Sequence, residues 1–307
     1  MGIAIRGWGA ALPEKVVTND DLAATMDTSD EWIRERTGIR ERRIGGTTAG
    51  LATEAAQKAL DVSGFDPASI DLLLLATTTP DQTVPATSAS VQHALGLTCG
   101  AMDINAACSG WVYGLVAAAG YTAVGAKRIL VIGAETLSRI VDWEDRGTAI
   151  LFADGAGAAV VEAVDGPGAL LGWNLSADGS LVHVLYSDVG AFIQMNGREV
   201  FRQAVRVMVD SSEKALANAG LTAADVDVVI PHQANVRIID SALSKLGIPT
   251  EKAVVNLPTT GNTSAASIPL ALVDGIADGR VKDGQVVLLV GFGAGMTSAS
   301  AVLRWPG

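Results

Sequence analysis

Cys108 stands in Asn105-Ala-Ala-Cys-Ser-Gly-Trp-Val-Tyr-Gly114, where an extended apolar stretch, Ala101 to Ala107, runs into small residues and then a helix-like segment. The pattern predicts a strand-to-helix elbow carrying a thiol. At the first turn of a helix, unpaired N–H groups and the positive end of the macrodipole favour the thiolate, which is the nucleophilic form. Ala106, Ala107, Ser109 and Gly110 leave room for a carbonyl to approach. A free cysteine in apolar company is more often a small core residue than a nucleophile. Partners elsewhere in the chain decide between the two.

His232 supplies one such partner. It follows Val228-Val-Ile-Pro231 and so sits just beyond the end of a buried strand, where α/β sheets place their ligands. Asn262, in Gly261-Asn-Thr-Ser-Ala-Ala-Ser-Ile-Pro269, opens a second small-residue turn before a helix. Cysteine, histidine and asparagine on one cleft would combine a thiolate nucleophile with two neutral hydrogen-bond donors aimed at a carbonyl oxygen.

The elements that must bring them together form an internal duplication. Ala59 to Leu75 is echoed by Ala215 to Ile230 at a shift of 156 positions, each copy reading as a helix ending at glycine (Gly64, Gly220), a short loop and a buried strand. The same shift carries Cys108 onto Ser264, and Arg128-Ile-Leu-Val-Ile-Gly133 resembles Gln285 to Gly291 at nearly that offset. Two βα-rich halves with largely buried, partly parallel sheets are expected, 1–165 carrying the cysteine and 166–307 carrying the histidine and asparagine. A pseudo-twofold would then turn strand ends and helix starts of both halves toward one cleft.

Composition narrows the chemistry. With 307 residues, 49% hydrophobic and 18% charged, the chain can bury a large core. Its apolar runs are strand-sized, far short of the roughly 18 residues of a membrane helix, and Met1 to Trp8 lacks the apolar region of a signal peptide. A cytoplasmic location and no membrane partner are therefore expected. A formal net charge of −11 argues against nucleic acid. Two cysteines, Cys99 and Cys108, and three scattered histidines present no metal-ligand spacing, so no metal is expected. Gly291-Phe-Gly-Ala-Gly295 lies too near the C-terminus to open a dinucleotide fold and reads instead as backbone that can approach a bound group closely.

Six segments in order, Asp27-Thr-Ser-Asp-Glu-Trp-Ile-Arg-Glu-Arg36, Ala106-Ala-Cys-Ser-Gly110, Asp145-Arg-Gly-Thr148, Phe152-Ala-Asp-Gly-Ala-Gly157, Pro231-His-Gln-Ala-Asn235 and Gly261-Asn-Thr-Ser-Ala-Ala-Ser267, resemble the β-ketoacyl-[acyl-carrier-protein] synthase III family. The resemblance covers essentially the whole chain. It implies a thiolase-like α/β fold, two βαβαβαββ-type halves in a five-layered αβαβα arrangement, and a homodimer. It further implies an enzyme with no metal or redox cofactor, condensing an acyl-CoA primer with malonyl-acyl-carrier protein to initiate fatty acid synthesis, with Cys108, His232 and Asn262 as its triad. By the same resemblance, the N–H groups of Cys108 and Ala294 would form an oxyanion hole. Thr28, Trp32, Arg36 and Arg146 would hold coenzyme A, with Phe201 and Asn235 lining the pantetheine channel. Val84, Leu151 and Phe292 would shape the acyl pocket.

Arg202, Arg237 and Lys245, with Arg206, form a locally basic stretch suited to docking an acidic carrier protein despite the overall charge. The segment between Gly179 and Gly197 is shorter than in many members, and Val84 stands where some present a bulky aromatic to the partner, so acyl length stays open. Two other readings stay open beside the first: a related condensing or acyl-transfer enzyme of secondary metabolism, and a ketosynthase-like partner that only shapes another subunit's tunnel.

Overall fold

The computed structural model describes residues 2–305. The first half forms a five-stranded sheet from β1 (Gly2–Ala11), β2 (Leu72–Ala76), β3 (Gly100–Ile104), β4 (Arg128–Thr136) and β5 (Asp154–Val164), in the spatial order β1-β5-β4-β2-β3. β2 runs parallel to β3 and β4, while β5 is antiparallel to β1 and β4. The second half contributes β6 (Leu170–Ser176), β7 (Val228–Pro231), β8 (Val286–Gly293) and β9 (Thr297–Arg304), ordered β7-β8-β9-β6.

Helices fill three layers around these sheets. After α1 (Asp30–Thr37) come α2 (Thr48–Ser63), α3 (Thr87–Ala94), α4 (Gly110–Ala123), α5 (Gly197–Asn218), α6 (Val236–Leu246) and α7 (Ser267–Ala277). The period-two alternation of the strands decides which layer each residue meets. Leu74 of β2 joins the central cluster, where Trp111 and Leu115 of α4 and Ile268 and Leu272 of α7 lie between the two sheets, beside Ile230 of β7 and Leu289 of β8. Its neighbours Leu73 and Leu75 point the other way, into a cluster with Leu51 and Leu60 of α2 and Val91 of α3. On the far side Val229 and Leu288 meet Met208 of α5 and Ile239 and Leu243 of α6. The result is the αβαβα order, a thiolase-like fold, and α4 and α7 are apolar and buried through their first turns because both their faces meet sheets there.

The first half follows the expected βαβαβαββ sequence through β1, α2, β2, α3, β3, α4, β4 and β5. The second departs from it. The strand due between α6 and α7 is reduced to a single parallel bridge, Val229 to Ala253, because the chain there turns away through Asn256 and Pro258 toward the Asn262 turn. The link between halves is the turn from Asp165 to Ala169, where Gly168 takes a φ of 67°.

Candidate active site

Both central helices are entered through the same backbone device. Ala107 and Ser264 lie in the left-handed region, with φ of 49° and 48°, each followed by one 3₁₀ turn and then α4 or α7. Asn105 Oδ1 accepts from the N–H of Ala107 at 3.2 Å, and Asn262 Oδ1 accepts from that of Ser264 at 2.9 Å. These landmarks set the local shift at 157 positions, so Cys108 superposes in plan on Ala265 and not on Ser264, the one-residue slip arising because the loops before the two turns differ in length. A left-handed non-glycine residue costs on the order of 1–3 kcal/mol and persists where its surroundings enforce it. The third one described, Met296 with φ of 37°, follows the Gly293-Ala-Gly295 turn of the same site.

The two turns deliver Cys108 and Asn262 to one cavity of about 520 Å³, and the end of β7 delivers His232 to it. All three are buried. Phe152, Leu151 and Phe292 line the same cavity, and Phe292 meets the His232 ring edge to face with centroids 5.2 Å apart. Gly293 passes so close over the Cys108 elbow that a Cβ there would sit 2.6 Å from the Cys108 nitrogen, so no side chain fits. Among the described residues, neither the Cys108 nor the Ala294 N–H donates to a carbonyl outside the helices and strands.

Burial works against the thiolate. It pushes Cys108 up to about 12, with Ser264 acting in the opposite direction and Glu135 acting with burial. His232 is also set by burial, which lowers it to about 3 and keeps the imidazole neutral. Its Nδ1 lies 2.6 Å from Ser267 Oγ. That oxygen also accepts from the Gln233 N–H at 3.3 Å; with the Ser267 hydroxyl donating to Nδ1, the imidazole proton sits on Nε2. Gln233 in turn ties the His232 turn to the Asn262 approach, donating to Pro231 and Val254 carbonyls and accepting from the Asn256 and Leu257 amides. With Asn262 Oδ1 occupied, its Nδ2 is the group left to donate.

The mouth of the cavity is aromatic and cationic. Two guanidinium groups lie against the Trp32 ring, Arg36 at 4.7 Å and Arg146 at 4.6 Å from its centroid. Phe201 and Asn235 line the wall, and Asn235 both caps α6 and donates to the Arg36 carbonyl at 2.8 Å, locking the two halves together at the entrance. Arg237 also lines the mouth, stacked 5.7 Å over Phe201.

Other expected residues fall outside the cavity lining. Thr28 lies beside the mouth with its buried hydroxyl unpartnered. Arg202 is exposed and paired with Glu199 at 2.6 Å, and Lys245 lies in the last turn of α6, about 12 Å along the helix from Arg237. Val84 is 82% exposed and does not reach its own chain's cavity. No group of three or more His, Cys, Asp or Glu that could hold a metal occurs among the described residues, and no described helix is long and apolar enough to cross a membrane.

Sequence reasoning reaches Ser264 only as the counterpart of Cys108 in the duplication, and it does not single out Ser267 or Glu135. Ser267 and Ser264 lie inside a quoted motif, and Glu135 is the one carboxylate near the end of an otherwise apolar strand, a signal that sequence does offer.

Residues 102–179 match the model of 3-oxoacyl-[acyl-carrier-protein] synthase III, and residues 216–305 match that of its C-terminal region. A β-ketoacyl-[acyl-carrier-protein] synthase III of Erythrobacter litoralis is 51% identical over 98% of this chain and 99% of the relative. The chain belongs to the β-ketoacyl-[acyl-carrier-protein] synthase III family. It is a condensing acyltransferase that acts at the initiation of fatty acid synthesis. A Bacillus anthracis member of the family is 49% identical over 99% of both chains. The crystal structure of the Aquifex aeolicus synthase III, 47% identical, superposes with a TM-score of 0.97 over 99% of this chain and 100% of that one. The priming β-ketosynthase of the R1128 polyketide biosynthetic pathway follows at 36% identity and a TM-score of 0.94, over 99% of this chain and 96% of its own.

Proposed function

We propose that this synthase transfers an acyl group from an acyl-CoA primer to Cys108 and condenses it with malonyl-acyl-carrier protein, with His232 and Asn262 serving the second step. The convergence of these three residues from both halves on one buried, otherwise apolar cavity floor carries this reading. The Cys108 sulfur attacks the thioester carbonyl, and the N–H groups of Cys108 and Ala294 receive the developing oxyanion. Coenzyme A leaves through the mouth. Its adenine takes the Trp32 ring beside Arg36 and Arg146, with Thr28 at the side, and its pantetheine arm runs past Phe201 and Asn235.

Malonyl-carrier protein enters the same channel. The Nε2–H of His232 and the Nδ2–H of Asn262 donate to its thioester oxygen, which gains negative charge as carbon dioxide departs and the enolate forms. Neutral donors suit this role. A histidine lowered to about 3 is too weakly basic to take the thiol proton and too buried to become a cation. The enolate then attacks the acyl-cysteine and yields the 3-ketoacyl-carrier protein.

Leu151 and Phe292 bound the acyl end of this chain's own pocket. The chain works as a cytoplasmic homodimer in this reading; a dimer is supported by β3, an edge strand that no other described strand pairs on its outer side, and by the exposed Val84. Arg237 at the mouth, with Arg202 and Lys245 outward of it, receives the acidic carrier. The likeness to the R1128 priming ketosynthase supports a second reading, priming of a polyketide by the same chemistry. Intact-protein mass spectrometry after incubation with acetyl-, isobutyryl- and octanoyl-CoA tests the mechanism and ranks primers. Acyl mass on Cys108 is expected. An adduct on Cys99, or none, would remove the mechanism.

A further inference from the structure

Glu135, the penultimate residue of β4, is fully buried beside the Cys108 elbow, and no cation among the described residues forms an ion pair with it. Every group around its carboxylate is a donor. Thr77 Oγ1 lies at 3.1 Å, the Thr78 N–H at 3.0 Å, Thr78 Oγ1 at 3.1 Å, the Thr79 N–H at 3.1 Å and Thr79 Oγ1 at 2.6 Å. Ser264 Oγ closes the ring at 3.0 Å from Oε1. Two of these are backbone amides, which can only donate, and donors of this kind favour the charged form of the group. Burial nevertheless raises its proton affinity while the hydrogen bonds hold it down.

The Ser264 hydroxyl is shared. Its one proton is donated to Glu135, which leaves its oxygen free to accept on the Cys108 side, where Ser264 is the side chain that acts on the thiol. Losing the thiol proton to solvent would leave two anions, sulfur and carboxylate, in one buried cluster with no counter-ion. Moving it to Glu135 keeps that cluster at a single negative charge. The serine and threonine hydroxyls can rotate from donor to acceptor, so the ring accommodates the acid form.

We propose that Ser264 relays the Cys108 thiol proton to Glu135 during acyl transfer, and that Glu135 holds it until condensation expels the cysteine sulfur. The inference rests on the reading of Cys108 as the nucleophile. In the first step S–H···Oγ–H···Oε1 becomes S⁻···H–Oγ···H–Oε1, two protons shifting by one bond each. The sulfur lone pair forms the bond to the acyl carbon, the bond from that carbon to the coenzyme A sulfur breaks, and the departing thiolate takes a proton from solvent at the mouth. In the second step the enolate carbon bonds to the acyl carbon and the bond to Cys108 sulfur breaks. That thiolate regains the stored proton through Ser264, and Glu135 returns to its charged form. Holding the acyl-enzyme's neighbour neutral also removes a buried negative charge from the path of the malonyl carboxylate.

The relay has a signature that a structural role would not produce. Direct exchange of thiol for thiol takes up no proton, whereas a stored proton requires one from solvent for each acyl group transferred. Stopped-flow mixing of the enzyme with acetyl-CoA at pH 6.5, in dilute buffer with a pH indicator, counts those protons. Intact mass of the same samples counts acyl groups on Cys108. One proton per adduct is expected. Adduct formation with no uptake overturns the relay and leaves the nucleophile assignment standing, while absence of any adduct removes both. Glu135→Gln keeps an oxygen for Ser264 but cannot take a proton, so acylation should slow by about 100- to 10,000-fold and lose the uptake. Ser264→Ala should do the same with Glu135 in place, and Ser264→Thr should restore both. Uptake persisting in folded Ser264→Ala would overturn the path through the serine.

Discussion

The Cys108 turn and the Asn262 turn share a backbone and divide a reaction. Each has an asparagine folded back on a left-handed residue, one 3₁₀ turn and a central helix. In the first turn the residue after the left-handed one is the thiol, while Asn105 is exposed and outside the cavity. In the second that position is Ala265, and the asparagine itself faces the cavity. Duplication therefore supplied two helix starts, and side chains alone made one the candidate nucleophile and the other the candidate donor. Strain was kept at both because the central helices hold the turns between two sheets.

The sharpest way to break this division is Cys108→Ala, which should abolish both the acyl adduct and condensation, read by mass spectrometry and by carrier-bound product. Cys99→Ser should leave both intact. Next in size, His232→Ala and Asn262→Ala should each lower condensation by about 100- to 1000-fold while the enzyme still accepts acyl groups on Cys108. Equal loss of acylation in folded variants would merge the two turns' roles. Asn105→Ala offers the control for the shared backbone. It removes one hydrogen bond, so a loss of about 0.5–1.5 kcal/mol in denaturant unfolding is expected, with little change in the partition between half-reactions.

Ser267→Ala should lower condensation by about tenfold by freeing the competing imidazole tautomer, which is a difference of about 1.4 kcal/mol. Nitrogen-15 NMR of His232 checks it, since the parent should show Nε2 protonated and the variant a mixture. The pH dependence has a defined sign. His232 is depressed to about 3 from an ordinary 6.5 by burial, so the stability tied to its neutral form is complete above about 6.5 and is lost as pH falls toward 3. Condensation should show no histidine inflection near 6.5 while the protein stays folded. The smallest effect expected is at the mouth. Arg237→Glu should raise the Michaelis constant for malonyl-carrier protein several-fold, more at low salt than at high, and leave acylation by acyl-CoA little changed.

Much of this was written in the local pattern. Helix ends at Gly64 and Gly220, the alternating leucines of β2 and the small-residue turns before α4 and α7 follow from conformational preference and periodicity, which act over a few residues. The duplication was legible for the same reason, and the ordered motifs carried the family and the three residues that meet in the cavity. Four things lay beyond sequence. The shift of 157 at the turns, the loss of a strand at Ala253, the state of the thiol and the circle of donors around Glu135 all depend on which residues far apart in the chain come to share a volume without water. Helix-start chemistry predicts a thiolate, but desolvation is a property of the assembled core, and at Cys108 it favours the neutral thiol. Sequence determined the elements and the reactive types. Burial between the two sheets decided their protonation and their partners.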